Sequence, residues 1–191
     1  MSKTFRTAVA IVPFLLAVAC TDAAKAPAEA ALAAAGTAIE SLKGEAARYA
    51  PEAVKAVQAS YDSAKALVAK QDYKGALAAA AEIPAQAKAA LAAASLAKEN
   101  AAAAWRGFSE NVQQSIGDVT ARVAALANAK KLPPGIDKDA VARAQQEIDI
   151  LEARWQMVKD AASKGDYQIA IAKGVEVKKK ALALAASLAG K

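Results

Sequence analysis

The chain has 191 residues; 55% are hydrophobic, only 5% are aromatic, and 58 are alanine. Lysine and arginine number 25 against 19 acidic residues, a net charge of +6, with no histidine and one cysteine. Abundant alanine and scarce β-branched residues argue against a sheet-rich fold. The apolar content argues against disorder along the whole length. Without histidine and a second cysteine, the commonest general base, the commonest metal ligand and any internal disulfide are also excluded.

Residues 1–19 carry Lys3 and Arg6 as their only charges and then an apolar run from Ala8 to Ala19. That run suits the hydrophobic region of an export signal and is too short to span a bilayer as a helix. It ends in Ala17-Val18-Ala19, directly before Cys20. This junction resembles the lipobox of bacterial lipoproteins, where a signal peptidase cuts before a cysteine that already bears a diacylglyceryl group. The resemblance implies a signal peptide over 1–19, lipid attachment at Cys20 and a tether over 20–27. The family usually has leucine where this chain has Ala17, and Ala17-x-Ala19 also satisfies the rule for ordinary signal-peptidase cleavage, which leaves plain secretion as the alternative. Lipidation accounts for the solitary thiol, because an odd free cysteine is a liability in an oxidising compartment. Thr21 follows the cysteine in place of aspartate, which by resemblance to enterobacterial sorting implies the outer membrane and not retention in the inner one. The implied location is the periplasmic side of the cell envelope.

Without residues 1–19 the chain keeps 23 basic and 19 acidic groups, interspersed. A mild, mixed excess of this kind describes a solvated surface and not a nucleic-acid footprint.

Beyond the tether, apolar residues recur every three or four positions, about 3.5 on average. The first segment carries Ala28, Leu32, Ala35, Ile39, Leu42, Ala46 and Tyr49 on one stripe and is broken at Pro51, which suits the first turn of the next helix. The second carries Val54, Val57, Tyr61, Ala64 and Val68 and ends at Gln71-Asp72, with Asp72 placed to cap the third. The third runs from Tyr73 to about Lys98, with a kink expected at Pro84. The fourth has Trp105, Phe108, Val112, Ile116, Val119, Val123 and Leu126 on one face and stops at Lys130-Lys131-Leu132-Pro133-Pro134-Gly135. Asp137 or Asp139 caps the fifth, which carries Val141, Ala144, Ile148, Leu151, Trp155, Val158 and Ala162. Gly165 stops it, Asp166 is positioned as the next cap, and the sixth runs from Tyr167 to Leu188.

A shift of 94 positions aligns Lys70-Gln71-Asp72-Tyr73 with Lys164-Gly165-Asp166-Tyr167 and, without a gap, Val54 with Ile148, Val57 with Leu151, Tyr61 with Trp155 and Ala76 with Ala170. The expected fold is therefore all-α: an antiparallel bundle of about six helices with coiled-coil-like packing, in two related three-helix units over 28–100 and 101–191. The hairpins Ala66–Leu77 and Ala161–Ala170 resemble the turn of tetratricopeptide hairpins. The resemblance covers about 25 residues per copy, and tandem repeats of that family recur every 34 residues, not 94. The whole pattern also resembles the alanine-rich helical lipoproteins of unknown function of Gram-negative bacteria.

Candidate chemistry is sparse. Glu147, Asp149 and Glu152, and likewise Glu40 and Glu45, lie off the apolar stripes with Arg143, Arg154, Lys43 and Arg48 nearby, the composition of exposed salt-bridged faces. Ser60, Ser109 and Ser115 have no histidine to activate them, and no phosphate-binding loop is present. Trp105, Phe108, Trp155, Tyr61, Tyr73 and Tyr167 are expected to fill the core, with Trp105 the candidate for a groove. Lys130-Lys131 and Lys178-Lys179-Lys180 are expected to be solvated. The sequence thus predicts no catalytic, cofactor or metal site. It predicts an envelope protein held to the membrane by its N-terminal lipid, acting on an envelope protein partner; the alternative is a module that binds a small ligand, peptide or glycan between its halves.

Overall fold

The computed structural model describes residues 23–189. Among them the chain forms six α-helices and no strand: α1 (Lys25–Glu40), α2 (Glu45–Tyr49), α3 (Pro51–Ala69), α4 (Tyr73–Ala127), α5 (Lys138–Ser163) and α6 (Tyr167–Ser187). The first helix starts at Lys25 with Pro27 in its first turn, where a missing N–H costs nothing, so the tether is shorter than the composition suggested.

Two differences from the expected segmentation matter. Of the stripe from Ala28 to Tyr49, Ala28, Ala35, Leu42, Ala46 and Tyr49 are buried and Leu32 and Ile39 half-buried, and Gly44, at φ +93°, divides it into α1 and α2. The third and fourth predicted segments are one helix of 55 residues, continuous through Pro84 and about 82 Å long at 1.5 Å per residue. Its buried positions explain the continuity. Ala76, Ala80, Ile83, Ala87, Ala90 and Ala94 face one core, and Val112, Ile116, Val119, Val123 and Leu126 face the other. Val112 lies 18 residues beyond Ala94, which is five turns of 3.6 residues, so the second set repeats the helical phase of the first. From Ala76 to Val112 the stripe advances at 3.6 residues per turn, which keeps the two sets on one face of the helix, and within the second set, Val112 to Leu126, the spacing is 3.5.

Both halves therefore pack on the same face of α4. One comprises α1, α3 and the N-terminal part of α4, with α2 against α3 and α4; the other comprises the C-terminal part of α4 with α5 and α6. The first core is built mainly of alanine around Leu42, Tyr49, Val57 and Ile83. The second is built of Val112, Val119, Val123, Ile148, Leu151, Trp155, Val158 and Leu184. Small residues let helix axes approach to about 8 Å but bury little area each.

The two helical hairpins share their turn geometry. Gln71, at φ +61°, and Gly165, at φ +77°, occupy equivalent left-handed positions, which cost less for glycine. The Asp72 amide donates to the Leu67 carbonyl at 2.9 Å, and the Asp166 amide to the Ala161 carbonyl at 3.0 Å, its equivalent 94 residues on. Asp72 caps α4 through the Gly75 amide, and of the two candidates for α5 it is Asp137 that caps, through the Ala140 amide. At the far end of the second half, Arg122 donates twice to the Leu188 carbonyl (2.9 and 2.5 Å), which places a positive charge at the C-terminus of α6.

Trp155 is 6% exposed within the second core, whereas its counterpart Tyr61 is half-buried, with its hydroxyl over Gly36. Truncating a buried large aromatic costs roughly 3–5 kcal/mol. Trp155→Ala is expected to lower the thermal unfolding midpoint by that order of stability and Tyr61→Ala by clearly less, as read by circular dichroism.

Candidate functional site

Two places concentrate polar or aromatic groups: the junction between the halves and the outer surface of the second half. The junction follows from the phase of α4. Between Ala94 and Ala101 the stripe position is Lys98, a charged side chain that stays partly exposed in line with the buried positions. It is accommodated because α2 supplies Glu45, whose carboxylate pairs with the Lys98 ammonium. The hydrogen bond to Glu45, with its charge, holds the Lys98 pKa above the usual 10.5, and the hydroxyls of Tyr49 and Tyr167 add weakly in the same direction.

Further contacts bind α2 to the α5–α6 turn. The Tyr49 hydroxyl donates to the Gly165 carbonyl and accepts the Tyr167 amide at 3.2 Å. Arg48 meets the Asp166 carboxylate. Asp166 was expected to cap α6 with its side chain; no such bond forms, because that carboxylate is turned to Arg48. Tyr167 packs against both cores.

Beside the junction, the Trp105 ring lies tilted at 5.6 Å from Trp155 and 6.1 Å from Phe108. Gly174 of α6 seats this cluster: a Cβ there would fall 2.5 Å from the Phe108 ring and 3.5 Å from Trp155. Of the six aromatics expected in the core, Trp155 is buried, four pack against the cores partly buried, and Tyr73 belongs to neither.

Two grooves flank α5. One, of about 570 Å³, lies between α4 and α5 and is lined by Gln113, Gly117, Thr120, Trp155, Gln156 and Lys159 among others. The Trp155 indole N–H and the Thr120 hydroxyl, both buried, have no hydrogen-bond partner among the described residues. The other, of about 660 Å³, lies between α5 and α6 and includes Arg143, Glu147, Ile150, Arg154 and Lys180.

The predicted residues are distributed as follows. Cys20 lies outside the described residues. Glu40 pairs with Lys43 at 2.6 Å, as expected, but Glu45 reaches across to Lys98 and not to its own helix. Glu147, Asp149 and Glu152 are exposed on α5, yet none pairs with Arg143 or Arg154 within 4.0 Å, so the expected salt-bridged face of α5 is not formed within the described chain. Lys130, Lys131, Lys179 and Lys180 are exposed, and Lys178 is half-buried. Sequence reasoning missed the junction; its single signal was a lysine at a stripe position. Among the described residues no three metal-ligating side chains converge, and no helix is long and apolar enough to cross a membrane. No protein-family model, curated protein or solved structure matches the chain.

The Lys98–Glu45 contact has a definite pH dependence. A group whose folded pKa is raised contributes stability fully below its unfolded value and loses it as pH rises through the folded value. The stability difference between the native chain and Lys98→Met is expected to stay constant from neutral pH to about pH 10 and to fall as pH rises through the lysine range, losing the part that depends on the ammonium charge, as measured by urea unfolding across pH.

Proposed function

We propose that this chain is a lipid-anchored protein of the bacterial cell envelope, on the periplasmic side and at the outer membrane, acting by contact with other proteins and not by catalysis. The observation that carries the reading is the single cysteine, Cys20, placed directly after Ala17-Val18-Ala19 and an apolar run. The geometry supports it. The first helix begins at Lys25, five residues after Cys20, at the end of the molecule where α3 turns into α4. The anchor would therefore hold one end of an elongated body whose second half projects along α4 away from the lipid. Confinement to a surface raises the effective concentration toward envelope partners without any new contact. Mass spectrometry of the mature N-terminus tests the reading: a diacylated Cys20 is expected, with release of the protein from membranes on Cys20→Ala. Unmodified Cys20 in the soluble fraction would refute it.

A second reading, a ligand-binding module, is favoured by one observation. Among the described residues, the buried side-chain polar atoms without a hydrogen-bond partner belong to Thr120 and Trp155, which line the same groove between α4 and α5. A buried donor without an acceptor is costly, and a ligand oxygen would relieve it. The groove lies within the second half and not between the halves. Calorimetric titration with short peptides and oligosaccharides is expected, on this reading, to give a saturable signal that Trp155→Phe removes while the helical spectrum is kept.

A further inference from the structure

We propose that the outward face of α5 pairs with the same face of a second copy of this chain, with the two helices antiparallel about a two-fold axis beside Ile150 and Leu151. The inference deepens the protein-interaction reading by naming the partner, and it does not depend on lipidation of Cys20.

Arg143, Glu147, Ile150, Arg154 and Met157 follow one another at spacings of three and four and so form one stripe, exposed throughout. Ile150 is 53% and Met157 62% exposed, large apolar side chains that the fold leaves in water. The first four residues of the stripe line the 660 Å³ groove between α5 and α6, a shape that admits one further helix. Among the described residues no carboxylate lies within 4.0 Å of Arg143 or Arg154, and no cation within that distance of Glu147. The face thus offers apolar area and charges of both signs that the chain itself does not neutralise.

The order of these groups selects the occupant. A fatty acid or a uniform polyanion would suit Arg143, Arg154 and Lys180 of α6 but would meet Glu147 between the two arginines. A mixed-charge helix would not, provided that it brings a cation opposite Glu147 and an anion opposite Arg154. The stripe of a second copy does this when reversed. Glu147 and Arg154 are equidistant from the midpoint of Ile150 and Leu151, so antiparallel pairing sets Glu147 against the second copy's Arg154 twice, about 10 Å apart along the helix. Ile150 meets the second copy's Ile150 near the axis, and the aliphatic part of Arg143 covers the second copy's Met157. Parallel pairing in register would oppose Glu147 to Glu147 and Arg154 to Arg154. Charge complementarity of this kind fixes register and orientation more than affinity. The resulting assembly is isologous, with the two first halves at opposite ends.

The test uses the full chain carrying Cys20→Ser, in mild detergent, so that no lipid contributes and a failure of the lipoprotein reading leaves the result intact. Sedimentation velocity is expected to show a concentration-dependent dimer in the micromolar range. Glu147→Arg or Arg154→Glu alone is expected to weaken it roughly tenfold, which is about 1.4 kcal/mol, and the two together to restore it. Helical circular dichroism unchanged in each variant separates lost association from lost fold. For orientation, a chain with Glu147→Cys mixed with one carrying Arg154→Cys is expected to give the heterologous disulfide faster than either alone gives its own. A native chain that stays monomeric, single variants that associate like the native chain, or a double variant that stays monomeric would each overturn the proposal.

Discussion

The structure depends on the 3.6-residue phase of one helix. Because the buried positions of α4 recur after 18 residues, its two ends present their apolar faces in the same direction. Each half is then a pair of helices that lacks a third wall and finds it on α4. The same periodicity places Lys98, partly exposed, on the stripe between the cores, and the junction forms around that charge. Glu45 approaches it because α2 exists, and α2 exists because Gly44 breaks the stripe one turn early. The neighbouring contacts of Arg48 and Tyr49 then close α2 onto the turn between α5 and α6.

The halves follow one plan with different materials. The first is packed through alanines on all sides, which permits close helix approach but buries little area per residue, and it recruits Tyr49, Ile83 and the extra helix α2. The second uses branched residues and concentrates its bulk in Trp155, with Trp105 and Phe108 beside it and a glycine opposite. A glycine seat and a large ring are complementary choices, since the space vacated by one is filled by the other.

Much of this architecture was legible in the residues. The two hairpins could be read because their turns combine a left-handed position with a following aspartate, and the 94-residue spacing related them. The caps by Asp72 and Asp137 followed from their place before the apolar stripes. The continuity of α4 was obscured by a change of composition from alanine to branched residues near residue 100, although Ser95 to Trp105 contains neither proline nor glycine. The break at Gly44 was hidden by a stripe that keeps its phase across it. The junction was illegible for another reason: its partners lie 53 to 118 residues apart, and no local pattern encodes such pairs. The side chain of Asp166 shows the cost of local reasoning, since a distant arginine outcompetes the cap that its position suggests.

A helix shared by two cores also bears on how the chain unfolds. Local opening in small helical proteins proceeds in cooperative units, and such units require a boundary where few contacts cross. Here the boundary falls within an uninterrupted hydrogen-bonded helix, so melting one half leaves a frayed end of α4 attached to the other. Nucleating a helix is expensive while extending it is not, which makes whichever half forms first a template for the second. The two halves then have cores of their own, bridged by Tyr167 and the α2 contacts, but are joined in folding, and the peptide hydrogens of α4 between Ser95 and Ala104 are where their opening reactions meet.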